Sequence, residues 1–412
     1  FTNAYAACPV CSPTRASIMT GKYPARLKVT DWIAGRRQWP TARVITPPNK
    51  LQLGLEEITL AEALKAKGYA TAHVGKWHLG GQGYEPEKQG FDVNIAGDHR
   101  GAPRSFFGPF DMPNFAAGTK EEELTERLTA EACNYIAKQR KEQPFFMYFA
   151  HYTVHTPIQA REAMAERYRR KLAGRSWPDP VYAAMVESLD HSVAAVRKTL
   201  EEAGLARDTV IVFTSDNGGL RYEGGGKRLV TSNAPLRAGK GHLYEGGIRE
   251  PLYIHWPGVT KPGRVVDTPV SSVDFFPTLL EMAGMKPPRP VDGVSLAPLL
   301  RGGAGPARDA IYWHYPHYSN QGGVPGGAIR MGDWKLIEFY EDGRLELFNL
   351  KDDPGETVNL VRKNAQKARE MHAKLRIWRT ETNALMPDPN PNYDPATADQ
   401  GLTGAEKPTP PA

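Results

Sequence analysis

At 412 residues, 40% hydrophobic and 24% charged, the chain has the composition of a globular protein, long enough for one large core and a smaller one beside it. Its net charge of +6 comes without a dense Lys/Arg stripe, which argues against a nucleic-acid partner and leaves weak attraction for anionic substrates. Three cysteines exclude a disulfide framework, and no apolar run reaches the roughly 18 residues that span a bilayer.

Cys8-Pro9-Val10-Cys11 has the spacing of a redox or zinc pair, but no second CxxC follows. Cys11 is distinguished by what comes next: Cys11-Ser12-Pro13-Thr14-Arg15, then Ala16-Ser17-Ile18-Met19-Thr20-Gly21. A short helix is predicted over Thr14–Met19, so Cys11 precedes a helix N-terminus, which favours an anion. Arg15 is permanently charged. The apolar spacing of Leu60, Ala63 and Leu64 predicts a helix over Thr59–Lys67, stopped by Gly68. A strand over Tyr69–Val74 then runs into Gly75-Lys76-Trp77-His78-Leu79-Gly80.

Helix Glu121–Arg140, strand Phe145–Ala150, helix Pro180–Ala203 and strand Thr209–Thr214 follow. The two strands lead into His151 and His155-Thr156-Pro157, and into Ser215-Asp216-Asn217-Gly218. Strand Leu252–Trp256 and helix Val273–Ala283 complete an alternating α/β pattern, with polar clusters just after strands, where open α/β sheets collect ligands. Asp216 and Asn217 offer a carboxylate and an amide oxygen, donors suited to a hard cation such as calcium. After Arg301 the pattern changes to strands Ala328–Met331, Trp334–Glu338 and Leu345–Asn349, then helix Lys363–Thr380. The expected organisation is therefore an α/β domain over 1–300, an α+β subdomain over 301–386, and an extended Pro-rich tail over 387–412.

These motifs, with Ala238-Gly239-Lys240-Gly241 and Tyr244-Glu245-Gly246-Gly247-Ile248-Arg249-Glu250-Pro251, resemble the type I sulfatases. The similarity extends from residue 3 to about 255, with weaker matches at Asp274–Thr278 and Gly332–Lys335. It implies an alkaline-phosphatase-like fold, a large mixed sheet between helices. It also implies that a maturation enzyme converts Cys11 to formylglycine, whose hydrate supplies the nucleophile, and that Ca2+ is bound by Asp216, Asn217 and the Cys11-derived oxygen. By the same resemblance Arg15 holds the hydrate and metal-bound oxygens, Lys76 and Lys240 meet the sulfate, His78 takes a proton from the second hydroxyl, and His155 protonates the leaving group. The family also places an Asp-Asp pair on a strand well before the cysteine. None precedes Cys11 here, so either the chain is incomplete or two anionic metal ligands are lost.

Gly101-Ala102-Pro103 and Phe107–Asp111 look like a loop of N-acetylgalactosamine-6-sulfatases and arylsulfatase A. Asp98, His99 and Arg100, with His314 and His317 in the run Trp313–Tyr318, are candidates to line a sugar pocket, the alternative being that the aromatics pack two domains together. The expected activity is removal of sulfate from a sulfated saccharide or aryl sulfate. A phosphonate or phosphodiester hydrolase, and an inactive sulfated-glycan binder, are the alternatives. Asn-x-Ser/Thr sequons are absent, which weighs against a glycosylated lysosomal enzyme and for a bacterial-like periplasmic or secreted one. Oligomeric state is not legible.

Overall fold

The computed structural model describes residues 1–175, 178–223 and 228–398. Helix Cys11–Thr20 is its centre: all ten residues are buried. Val10 supplies no side-chain cap; the first turn is tied instead by Thr14 Oγ1, which donates to the carbonyls of Cys8 (3.0 Å) and Val10 (3.3 Å). Gly21 ends the helix in the left-handed region, its N–H on Ser17 O. Ala16 and Met19 share one apolar core with Trp77, Leu79 and Phe91, and burial on that scale contributes about 1.5–3 kcal/mol per large side chain.

Ala70–Gly75 is the middle strand of a parallel sheet, paired with Val93–Ile95 on one side and Phe145–Ala150 on the other. The register sets Gly75 opposite Ala150, so both strands end at one level and deliver Lys76 and His151 side by side. Helix Leu60–Ala66, which leads into strand Ala70–Gly75, begins with a capping box between Thr59 and Glu62. Ile211–Thr214 pairs antiparallel with Leu252–His255, and Ala4–Tyr5 lies between Val270–Ser271 and Arg249–Glu250. Hydrogen bonding thus divides the α/β region into several small sheets among the described residues. Helices Leu124–Ala137 and Pro180–Glu202 pack together, joined by a hydrogen bond from Thr129 Oγ1 to Ser192 Oγ at 2.6 Å.

The C-terminal region is a four-stranded antiparallel sheet, Ile311–Tyr315, Gly326–Met331, Trp334–Phe339 and Leu345–Asn349 in chain order. Helix Ala365–Glu381 covers one face with Met371, Leu375 and Trp378, the last stacked on Tyr312 at 4.9 Å. The other face shares a core with Tyr5, Cys8 and Val10. In the stretch expected as a tail, Asp388–Pro389 pairs with Val44–Ile45, and Ala398 O accepts from Trp39 Nε1 at 2.9 Å. Residues 399–412 of that stretch lie outside the described residues.

Candidate active site

Five chain segments meet at the N-terminus of helix Cys11–Thr20. Cys11 is its first residue, and Sγ lies 3.3 Å from His78 Nδ1. His78 has a positive φ of 57°, which turns its ring back over the cysteine. Its other nitrogen meets Ile33 O, and its N–H donates to Asp98 O at 2.9 Å. The ring also lies against Gly101, where a Cβ would stand 2.4 Å from Cε1, so glycine is required there.

Arg15, one turn along the helix, donates through Nε to Asp216 Oδ2 at 2.7 Å and through Nη1 to Lys76 O at 2.6 Å. Instead of pointing at a free ligand position, it clamps the Asp216 turn to the Lys76 strand end. Lys76 is buried, with no carboxylate at ion-pair distance among the described residues. Lys240 Nζ lies 3.0 Å from His155 Nε2. His155 Nδ1 sits 3.0 Å from Thr156 O, which assigns the ring proton to Nδ1 and leaves Nε2 to accept from Lys240.

The electrostatics follow from burial and the sign of the neighbours. Burial opposes ionisation of Cys11, but Lys76, His78 and Lys240 outweigh it and hold the thiol well below its ordinary value. Burial opposes the Asp216 carboxylate too, yet Arg15, Lys76 and Lys240 pull its pKa down. Burial followed by the two lysines depresses His155, which is neutral at pH 7. Burial also lowers Lys76. The pocket is a cationic trap in which Asp216 is engaged by Arg15 and Cys11 is the second potential anion.

Asn217 Oδ1 is buried without a hydrogen-bond partner among the described residues, as a cation donor would be. The rest of the expected metal set does not fit. Asp216 spends one oxygen on Arg15, and no cluster of three or more His, Cys, Asp or Glu able to hold a metal occurs among the described residues. Calcium takes 6–8 oxygens, so two donors beside three cations do not make its site.

Of the residues considered for sugar recognition, Asp98 and Arg100 are ion-paired at 2.5 Å directly beside His78, and His99 is exposed. His314 and His317 are buried away from this loop. His314 bonds Tyr340 Oη (2.8 Å) and Leu385 O (2.9 Å), and His317 Nε2 meets Thr30 Oγ1 at 2.8 Å. Trp313 Nε1 donates to Ala6 O at 2.8 Å. This run joins two regions, and both of its histidines are buried with a ring nitrogen hydrogen-bonded. Sequence reasoning missed Glu250, buried beside Asp216 with Oε1 unpartnered among the described residues. Its only sequence signal was its place in the segment Tyr244–Pro251, between Arg249 and Pro251.

Residues 1–285 match the family model described as Sulfatase. The chain belongs to the sulfatase family. Residues 238–382 match the C-terminal model of N-sulphoglucosamine sulphohydrolase. The sulfatase is 32% identical to a Formosa agariphila sulfatase over 91% of this chain and 80% of that protein. It is 31% identical to human arylsulfatase A (88% and 76%) and 32% to mouse N-acetylgalactosamine-6-sulfatase (91% and 71%). Among solved structures it resembles Ps i-CgsB, with a TM-score of 0.76, 27% identity, and 95% and 86% of the two chains covered. A structure in complex with its substrate D-glucosamine-2-N, 6-O-disulfate shares the fold at TM-score 0.70 and 23% identity, with 94% and 91% covered. The alkaline-phosphatase-like α/β fold and sulfate ester hydrolysis follow from this membership. No helix among the described residues is long and apolar enough to cross a membrane.

Proposed function

We propose that the protein removes sulfate from a sulfated saccharide, acting through Cys11 after its oxidation to formylglycine. The observation that carries this reading is the convergence of Cys11, Lys76, His78, Lys240 and His155 on one buried helix N-terminus. That is an anion site whose lysines, Lys76 and Lys240, have no carboxylate at ion-pair distance among the described residues. The modified side chain would supply a hydrated aldehyde as nucleophile. The rest of the chemistry belongs to the chain's own residues.

Lys76 and Lys240 bring fixed positive charge to a sulfate whose bridging oxygen gains negative charge as the ester bond breaks. Burial makes that charge effective, because little solvent reorganises around it. His78 Nδ1, 3.3 Å from Cys11 Sγ, is placed to move a proton at position 11. His155 rests neutral because it is buried and faces Lys240, which donates to it. A bound sulfate anion offsets the lysine's field, so the pair regains the ability to pass a proton to the leaving oxygen. Arg15 has a different task, fixing Asp216 against Lys76 O.

A saccharide as leaving group is supported by relatives named as N-acetylgalactosamine-6-sulfatases and by a solved complex of Ps i-CgsB with k-i-k-neocarrahexaose. Asp98, His99 and Arg100, adjoining His78, are the proposed sugar-facing group. Periplasmic or secreted placement and a maturation enzyme belong to the same reading. The test is mass spectrometry of the Cys11 peptide from native-host protein, beside desulfation of defined sulfated saccharides and matched phosphate esters. An unmodified thiol without turnover favours a binding protein, and preference for phosphate esters removes the sulfatase chemistry.

A further inference from the structure

Outside the site, the most heavily charged buried group is Lys335 in strand Trp334–Phe339. Its Nζ lies 2.9 Å from Glu245 Oε1 and 2.9 Å from Glu356 Oε1, and all three side chains have zero exposure. Glu245 Oε2 also accepts from Tyr5 Oη at 2.7 Å, and Glu356 Oε2 accepts from the Glu245 N–H at 2.6 Å. Lys335 therefore holds Glu245 by its side chain, and Glu356 holds it by its backbone.

Glu245 begins the four-residue helical turn Glu245–Ile248, which touches the segments carrying Cys11, Asp216 and Lys240 through main-chain hydrogen bonds. Ile248 O accepts from Ala6 N (2.8 Å), on the approach to Cys11. Gly247 O accepts from Gly218 N (3.0 Å), closing the Asp216–Asn217 turn. Gly246 N donates to Arg237 O (2.9 Å), at the start of the loop carrying Lys240, and Lys240 N in turn donates to Gly219 O (3.2 Å). There is no slack in this junction: a Cβ on Gly218 would stand 1.9 Å from Gly246 O, and one on Gly247 2.1 Å from His242 O.

We infer that Lys335 is a positioning residue for sulfate ester hydrolysis: its two ion pairs seat the Glu245 turn, and that turn sets Cys11, Asp216 and Lys240 relative to one another. The inference rests on the sulfatase reading for its consequence on turnover. Lys240 meets charge that grows in the transition state, and a small displacement there costs turnover more than binding. An inert structural brace predicts something different, namely that any variant that folds has a normal kcat.

Three variants separate the two. Lys335→Met strands two buried carboxylates and is expected to fold poorly. Lys335→Met/Glu356→Gln removes one charge of each sign, and Glu356→Gln alone weakens one contact. The double variant is expected to melt close to the parent. It should turn over an aryl sulfate at least tenfold more slowly with KM within about threefold, and Glu356→Gln should lose a few-fold in kcat. Amide exchange at 215–219 and 238–248 is measured on the same proteins and should quicken in the variants while the helix Pro180–Glu202 is unchanged. A folded double variant with parental kcat and parental exchange overturns the inference. If the parent itself hydrolyses no sulfate ester, the sulfatase reading fails, and exchange alone then decides whether Lys335 seats the turn.

Discussion

Lys76 and Lys335 are both buried at strand ends or within strands, yet their surroundings are opposite. Lys335 faces two carboxylates at 2.9 Å. Lys76 faces Cys11, with Arg15 and Lys240 acting on it as like charges and Asp216 already engaged by Arg15. A buried charge that is paired holds structure together. One that is left unpaired costs stability and persists where an incoming ligand supplies the missing sign. The C-terminal sheet settles its own electrostatics, whereas the helix N-terminus leaves its balance to the substrate.

The largest effect should come from the reacting position itself. Cys11→Ala is expected to lower aryl sulfate turnover by at least ~10⁴-fold, since no other side chain supplies the nucleophile. Cys8→Ala, which changes only packing, should change turnover little. Full activity in Cys11→Ala would end the mechanism.

The lysine pair is broken next. Lys76→Met should cost roughly 10²–10³ in kcat, as for loss of one transition-state charge contact. It should leave the melting temperature unchanged or higher, because an uncompensated cation is removed. Lys335→Met should do the reverse to stability, losing about 3–5 kcal/mol as two carboxylates are stranded. Thermal melts beside kinetics decide the matter, and equal melting losses in both variants would erase the distinction.

Asp31 sharpens the comparison at the seam of the two regions. Burial raises its carboxyl to about 7, against the hydrogen bonds from Tyr315 Oη, Arg36 N and Trp32 N. A carboxyl raised in the folded state contributes stability that is fully present below its unfolded value near 4 and is lost as pH climbs through about 7. Asp31→Asn should therefore gain on the parent by up to about 4 kcal/mol across that window. Parallel stability curves from pH 4 to 7 would show that Asp31 is ionised throughout.

The smallest expected signal is calcium. With Asp216 already bonded to Arg15 and Asn217 beside it as the expected donors, calorimetry of the 412-residue chain should give binding no tighter than about 10⁻⁴ M. Tight binding would mean that further oxygen donors close on the site.

Local structure was readable where local forces set it. Phe145–Ala150 and Leu345–Asn349 occur with the predicted bounds, and Thr59 caps the helix that its sequence announces. The opening helix begins three residues earlier than Thr14, at Cys11, and Thr14 Oγ1 ties its first turn to the carbonyls of Cys8 and Val10. The resemblance to the sulfatases named Cys11, Lys76, His155 and Lys240, which the fold brings together. It did not show that Arg15 would be spent on Asp216, 201 residues away, nor that Lys335 would find Glu245 across 90. Such pairs have no local signature. The strand Ile311–Tyr315 hid its direction for another reason: aromatics and histidines suit a sugar pocket and a domain seam equally, and only burial separates the two.

Gly101 carries a consequence for changing what this protein accepts. Because the His78 ring occupies the space of a side chain at 101 and the His78 N–H holds Asp98 O, the loop beside the pocket is tethered to the reaction at 98 and 101. Randomised libraries over 98–104 should yield active members almost solely where 101 stays glycine, while 99, which faces solvent, tolerates most replacements. A designer then has a hinge point of known location, around which specificity is adjustable without disturbing the chemistry.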